Sequence, residues 1–136
     1  MTPFTPTKRR LPLHAIAHGR AGDKGNVSNI SVIAYEARVW PVLQTEVTEF
    51  RVLELFQPLG ASQVTRYELP NLHALNFVIQ DTLDGGVNQS RNLDRHGKTL
   101  SFLLLGRLLL DLDPVLLPEH SPYRAPTFRW QNALGL

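Results

Sequence analysis

Between two short apolar runs, Leu11–Ala17 (LPLHAIA) and Ile30–Tyr35 (ISVIAY), lies the segment HGRAGDKGNVSN, residues 18–29. It crowds three glycines, three basic side chains and one carboxylate into twelve positions. Both flanking runs read as strands, being short, rich in apolar or β-branched residues and bounded by turn formers. The segment between them therefore reads as a strand-to-strand loop. Gly19, Gly22 and Gly25 allow positive φ and close approach of a ligand to the backbone, and successive free N–H groups in such a turn can form an anion-binding nest. Arg20 and Lys24 add full charges, and the planar guanidinium suits two-point contact with a carboxylate or phosphate. The same composition also suits a solvated hairpin loop in which Asp23 bonds its own backbone and Lys24 stands in water. It is not a phosphate-binding P-loop, because no Gly-Lys-Ser/Thr opens a helix, nor a dinucleotide fingerprint, which needs a βαβ unit.

The rest of the chain supplies one domain's worth of sequence. Its 136 residues suffice to bury roughly two-thirds of the surface an unfolded chain exposes. There is no cysteine, which excludes disulfides, thiolate metal sites and a cysteine nucleophile and suits a cytoplasmic location. A net charge of +2 with dispersed basic residues lacks the basic stripe that nucleic acid requires. No apolar run reaches the roughly 18 residues of a membrane span, and no secretory pattern opens the sequence.

Residues 1–10 read as a flexible lead-in. From Val39 to Leu59 apolar residues recur three and four apart, including Leu43, Val47, Phe50, Leu53 and Phe56. That spacing predicts an amphipathic helix, with Pro41 in its first turn, Pro58 and Gly60 at its end and an optional break near Thr48. Ser62–Leu69 and Ala74–Leu83 read as strands, and Gly97–Leu112 as a last, very apolar helix covered on more than one side, either within the domain or in a homo-oligomer. The order β-β-α-β-β-α implies an α+β fold, an antiparallel sheet of about four strands with two helices on one face. Residues 113–136, with prolines at 114, 118, 122 and 126, read as an extended arm anchored by Tyr123, Phe128 and Trp130.

Several of these stretches together resemble a known family. HGRAGDKGNVSNISVIA near the start, YELPNLHALNFVI in the middle, then DGGV and LDRHGKTLS are similar to the AtuA-like ferredoxin-fold domain, over 11–112. That domain occurs at the C-terminus of acyclic terpene utilisation proteins and as a small separate protein beside a larger partner. The resemblance implies a ferredoxin-like sandwich and a setting in acyl-CoA or terpenoid catabolism. It places the family's Ala-Arg-Ser-Gly-Asp-Lys-Gly-Asp pattern on residues 19–26, with Gly19, Ala21 and Asn26 departing from it. Loss of the serine hydroxyl and of the acid removes groups that chemistry would use.

These readings converge on a set of candidate residues. Asp23 and Lys24 are the candidate catalytic pair. His18, Arg20, Gly22, Gly25, Asn29, Asn71 and Asn76 are candidate ligand contacts, and Gly85, Gly86 and Arg91 form a second candidate anion-contact region. Asn71 after Pro70 also suits a turn or helix cap, whereas Asn76 in an apolar strand requires hydrogen-bond partners and would brace the glycine-rich segment. His14 and His18, read as i and i+4 on one strand, stand about 13 Å apart and do not share a metal ion. No metal or cofactor is expected. The function expected is an accessory subunit, or detached domain, of an AtuA-like system that handles acyl-CoA or another anionic small molecule, assembling with itself and with a larger AtuA-like subunit. The alternatives are a small lyase or hydratase using Asp23 and Lys24, and a purely structural oligomerisation module.

Overall fold

The computed structural model describes residues 8–24, 27–81 and 99–125. Two hairpins make the central sheet. The first joins β2 (Ala17–Lys24) to β3 (Val27–Ala34), and the second joins β4 (Gln63–Leu69) to β5 (Ala74–Gln80). The hairpins meet through their second strands, giving the order β2-β3-β5-β4 with every pair antiparallel. A separate two-stranded ribbon pairs β1 (Arg9–Pro12) with β6 (Leu109–Leu112).

Alternation along the strands assigns the two sides of the sheet. Ile30 and Val32 on β3 and Leu75, Phe77 and Ile79 on β5 are buried, whereas Asn29, next to Ile30 on β3, is exposed. The buried side is covered by α1 (Trp40–Glu46), α2 (Glu49–Phe56) and α3 (Thr99–Arg107), which pack on β5, β4 and β2 respectively. Gly19 belongs to this side. A Cβ there would lie 3.0 Å from the Ser31 carbonyl oxygen and 3.3 Å from Leu105 Cδ1, so the missing side chain is what lets α3 approach the sheet.

Differences from the sequence expectation have local causes. Among the described residues the order is β-β-β-α-α-β-β-α-β rather than β-β-α-β-β-α. The long helix over 39–59 divides at Thr48, whose Oγ1 accepts the Arg51 N–H at 3.2 Å and caps α2. Arg66 closes the other side of the break by donating to the Gln44 and Val47 carbonyls at 2.9 and 2.8 Å, placing a cation at the negative end of α1. The division shifts the helical phase, and Phe50, expected on the apolar stripe, is 70% exposed. Pro41 stands in the first turn of α1 and Gly60 ends the segment at φ 102°.

The run expected as one helix over 97–112 stops at Arg107, and Leu109–Leu112 turns into strand because Arg9–Pro12 offers it a hydrogen-bonding edge. Arg9 and Arg10 are consequently held in a strand instead of trailing in a flexible lead-in. The run Leu11–Ala17 is likewise divided, into the end of β1, a 3-10 turn at Leu13–Ala15 and the first residue of β2. Over 113–125 the proline-rich segment is not extended: Pro114 and Pro122 each open a short 3-10 turn, a position that needs no N–H donor. Leu117 and Tyr123 are buried and anchor it to the body. Residues 126–136, with Phe128 and Trp130, lie outside the described residues.

Candidate functional site

No helix among the described residues covers the other side of the sheet, and its residues form rows across the four strands. One row runs Arg20, Ser31, Asn76, Tyr67. Its neighbours are Gly22, Asn29, Val78, Thr65 and His18, Ile33, Ala74, Leu69. The Asn76 side-chain amide donates to Asn29 Oδ1 at 2.6 Å and to Ser31 Oγ at 3.0 Å. Both hydrogens of that amide are thereby used, which satisfies the requirement an asparagine in an apolar strand imposes. The Ser31 hydroxyl hydrogen and the Asn29 amide remain as donors, and the exposed Arg20 stands directly across the strand pair from Ser31. The Arg20 guanidinium makes no hydrogen bond or ion pair with the described residues. Three donor groups, one of them a full positive charge, thus share one strip of open sheet, an arrangement suited to an anion or a carbonyl oxygen.

Five of the sequence candidates therefore come together: His18, Arg20, Gly22, Asn29 and Asn76 all lie on this face. The glycine-rich segment that carries four of them is mostly strand and not loop, with only positions 25 and 26 left between β2 and β3. Gly22 has open space where a Cβ would project. Asp23 and Lys24 are the last two residues of β2, and their side chains lie outside the description, as do Gly25, Asn26, Gly85, Gly86 and Arg91. Asn71 is not part of the cluster. It is exposed in the 3-10 turn between β4 and β5, at the opposite end of the sheet from residues 25–26, a separation of about 23 Å for seven residues of strand.

A family model described as the AtuA ferredoxin-like domain matches residues 11–109. The chain belongs to this family. No curated protein and no solved structure matches it. The match spans the whole central sheet and all three helices, so the ferredoxin-like α+β domain and the open face are features of the matched region.

At one end of the AtuA ferredoxin-like domain sits a group that the spacing argument separated. His14 is not on a strand with His18 but in the 3-10 turn before it. The Tyr35 ring stacks on His18 with centroids 5.4 Å apart and planes 24° apart. Both His14 and Tyr35 line a cleft of about 630 Å³ with Glu36 and with Pro118–Tyr123 of the C-terminal segment. His14 Nδ1 and the Tyr123 hydroxyl share a hydrogen bond at 3.1 Å. Burial holds the His14 imidazole below its ordinary value and raises both phenols, Tyr123 further because an ionised Tyr35 would repel it. These residues come from three separate stretches of chain, and no local spacing could have joined them. The nearest signal was the aromatic residue in a proline-rich segment.

Proposed function

We propose that this chain is a detached AtuA-like domain acting as an accessory subunit in acyl-CoA or terpenoid catabolism, and that the open sheet face holds its anionic ligand. The observation that carries the reading is the Asn29–Asn76–Ser31 network with Arg20 beside it. Hydrogen bonds among the three fix the amides and the hydroxyl in position before any ligand arrives, which lowers the ordering cost of binding. Arg20 supplies a full charge whose guanidinium has no partner among the described residues. A thioester carbonyl, a carboxylate or a phosphate of coenzyme A all fit that donor set. Lys24, two positions beyond Gly22 at the end of the same hairpin strand, falls in the rows of the open face and is included in the proposed site, whereas Asp23 pairs with the buried Ser28 in the rows of the covered side.

Calorimetric titration of the full chain with acetyl-CoA tests this. Saturable binding is expected, weakened at least ten-fold by Arg20→Ala and by roughly three- to ten-fold by Asn76→Ala, the loss of about one to two hydrogen bonds. Absence of binding at millimolar acetyl-CoA, or an unchanged affinity in Arg20→Ala, sinks the ligand assignment.

A second reading is favoured by Tyr67 and Leu69, 54% and 40% exposed on the same face. Apolar side chains on an uncovered sheet suit a protein partner, a larger AtuA-like subunit or a second copy of this chain. Sedimentation of Tyr67→Ser separates the two occupants: a self-association constant that falls identifies the second copy, and one that does not leaves the larger subunit.

A further inference from the structure

Arg10 on β1, Arg51 on α2 and Arg107 at the end of α3 line one recess of about 430 Å³. None of these elements is a strand of the central sheet, so the recess is distinct from the open face. Glu54 is the one carboxylate among its described lining residues, and Leu55, Pro58 and Leu109 supply aliphatic wall. Three like charges facing one small volume repel one another, and an anion seated among them is attracted by all three.

The three guanidinium groups are held to different degrees. Arg51 is half-buried and donates to the Glu46 carbonyl at 3.2 Å and to the Leu109 carbonyl. These bonds tie the end of α1 to the start of β6 and fix the plane of the fork, using two of the five N–H donors a guanidinium carries. Arg10 pairs with Asp111 at 3.2 Å, both side chains being exposed. A surface pair of this kind is worth no more than about 1 kcal/mol, so Arg10 turns to a better acceptor at small cost. Arg107 is exposed at the last position of α3, where the helix end favours a cation. The helix end accounts for Arg107 and the two carbonyls for Arg51, but neither accounts for both facing the same recess as Arg10. The residues outside the description bring no acidic excess: 1–7 and 126–136 contain neither Asp nor Glu, and over 82–98 Arg91, Arg95 and Lys98 outnumber Asp84 and Asp94.

Charge and shape narrow the ligand. Three cations against one carboxylate leave an excess that a dianion balances better than a monoanion. A phosphate monoester carries about two negative charges at pH 7 and three acceptor oxygens, one for each guanidinium arriving from a different element. A carboxylate offers two oxygens in one plane. The volume lies within the range of preformed small-molecule sites, roughly 300 to 1,000 Å³, and leaves room beside the phosphate for a body against Leu55, Pro58 and Leu109.

We propose that this recess binds the phosphate monoester of a small aliphatic molecule, with Arg10, Arg51 and Arg107 on the phosphate and the leucines and proline against the body. The site goes beyond the anion-binding reading of the sheet face and stands without it.

Calorimetric titration of the full chain with n-butyl phosphate, n-butyl sulfate and inorganic phosphate tests it. The phosphate ester is expected to bind saturably and at least about three times more tightly than the sulfate, which has the same three oxygens but a single charge. A similar margin is expected over inorganic phosphate, which has no aliphatic body to bury. Arg107→Gln is expected to weaken the ester roughly ten-fold, one charge-assisted hydrogen bond. Glu54→Gln is expected to act in the opposite direction, tightening it about two- to five-fold as a like charge near the surface is removed. Both side chains are exposed, so neither substitution threatens the fold. The proposal is overturned if the ester does not bind at millimolar concentration, if the sulfate or inorganic phosphate binds as tightly, if Arg107→Gln binds unchanged, or if Glu54→Gln weakens binding. Loss of ester binding in Arg20→Ala but not in Arg107→Gln puts the ester on the sheet face and overturns it as well. Co-sedimentation with vesicles containing phosphatidic acid, without binding of the soluble ester, assigns the same chemistry to a membrane surface and overturns the small-molecule assignment.

Discussion

The two sides of the four-stranded sheet are made from alternate residues of the same strands, and they obey different rules. On the covered side Phe77, Ile79, Leu75, Ile30 and Val32 are buried under three helices, and Gly19 is shaped by what packs on it. On the open side the neighbouring residues Asn76, Asn29 and Ser31 are joined to one another, with nothing from the described residues packed above them. A one-residue step along the strand passes from a position chosen by packing to a position free to be chosen by a ligand. Conversely, a register slip of one residue would exchange the two.

The sharpest way to break this contrast is to truncate adjacent residues. Phe77→Ala is expected to cost about 3 to 5 kcal/mol through lost burial and an unfilled cavity, whereas Asn76→Ala, its neighbour, costs about 1 kcal/mol or less because its partners can turn to water. Urea unfolding followed by circular dichroism measures both, and equal losses would mean that the open face is not open. A second pair uses the glycines. Gly19→Ala drives a methyl against the Ser31 carbonyl and Leu105 and is expected to destabilise by about 1 to 3 kcal/mol. Gly22→Ala meets open space and is expected to be neutral or to stabilise by about 0.5 kcal/mol, since alanine has less freedom to lose on folding. Thermal melts of the two variants should move in opposite directions or differ by several degrees.

The smallest effect lies at the cleft. Burial depresses the His14 imidazole, so the unfolded chain takes up this proton at a higher pH than the folded one. The neutral side chain therefore contributes stability that is fully present above about pH 7 and lost as pH falls through the ordinary histidine range near 6.5 toward the lower folded value. His14→Gln is expected to flatten that part of the stability profile, read from urea midpoints between pH 7.5 and 5. A profile of unchanged slope would remove His14 as its source.

Much of this was legible from the sequence, and what was not shares a physical cause. Ala74–Gln80 declares itself by alternation, and the Thr48 break and the Gly60 stop follow from cap and turn chemistry. The family motifs identified the domain, and Asn29 and Asn76, 47 positions apart in the chain, were singled out separately before the strands showed them bonded. Leu109–Leu112 misled because every second position and every fourth are equally apolar there, so periodicity carries no information. Its partner strand lies about a hundred residues earlier, at Arg9–Pro12. Gly19 misled because glycine reports a need for room without saying whose; here the claimant is Leu105, on a helix at the far end of the domain. The cleft was invisible for the same reason, being assembled from a turn, a strand end and the C-terminal segment.

The β1–β6 ribbon sets the two ends of the strand-and-helix body side by side, with Arg9 opposite Leu112 and Cα atoms across such a pair only about 5 Å apart. A domain whose doorways adjoin can be spliced behind a larger protein, inserted into one of its surface loops or released on its own, and in each case the surrounding chain needs only a short bridge to close over the joint.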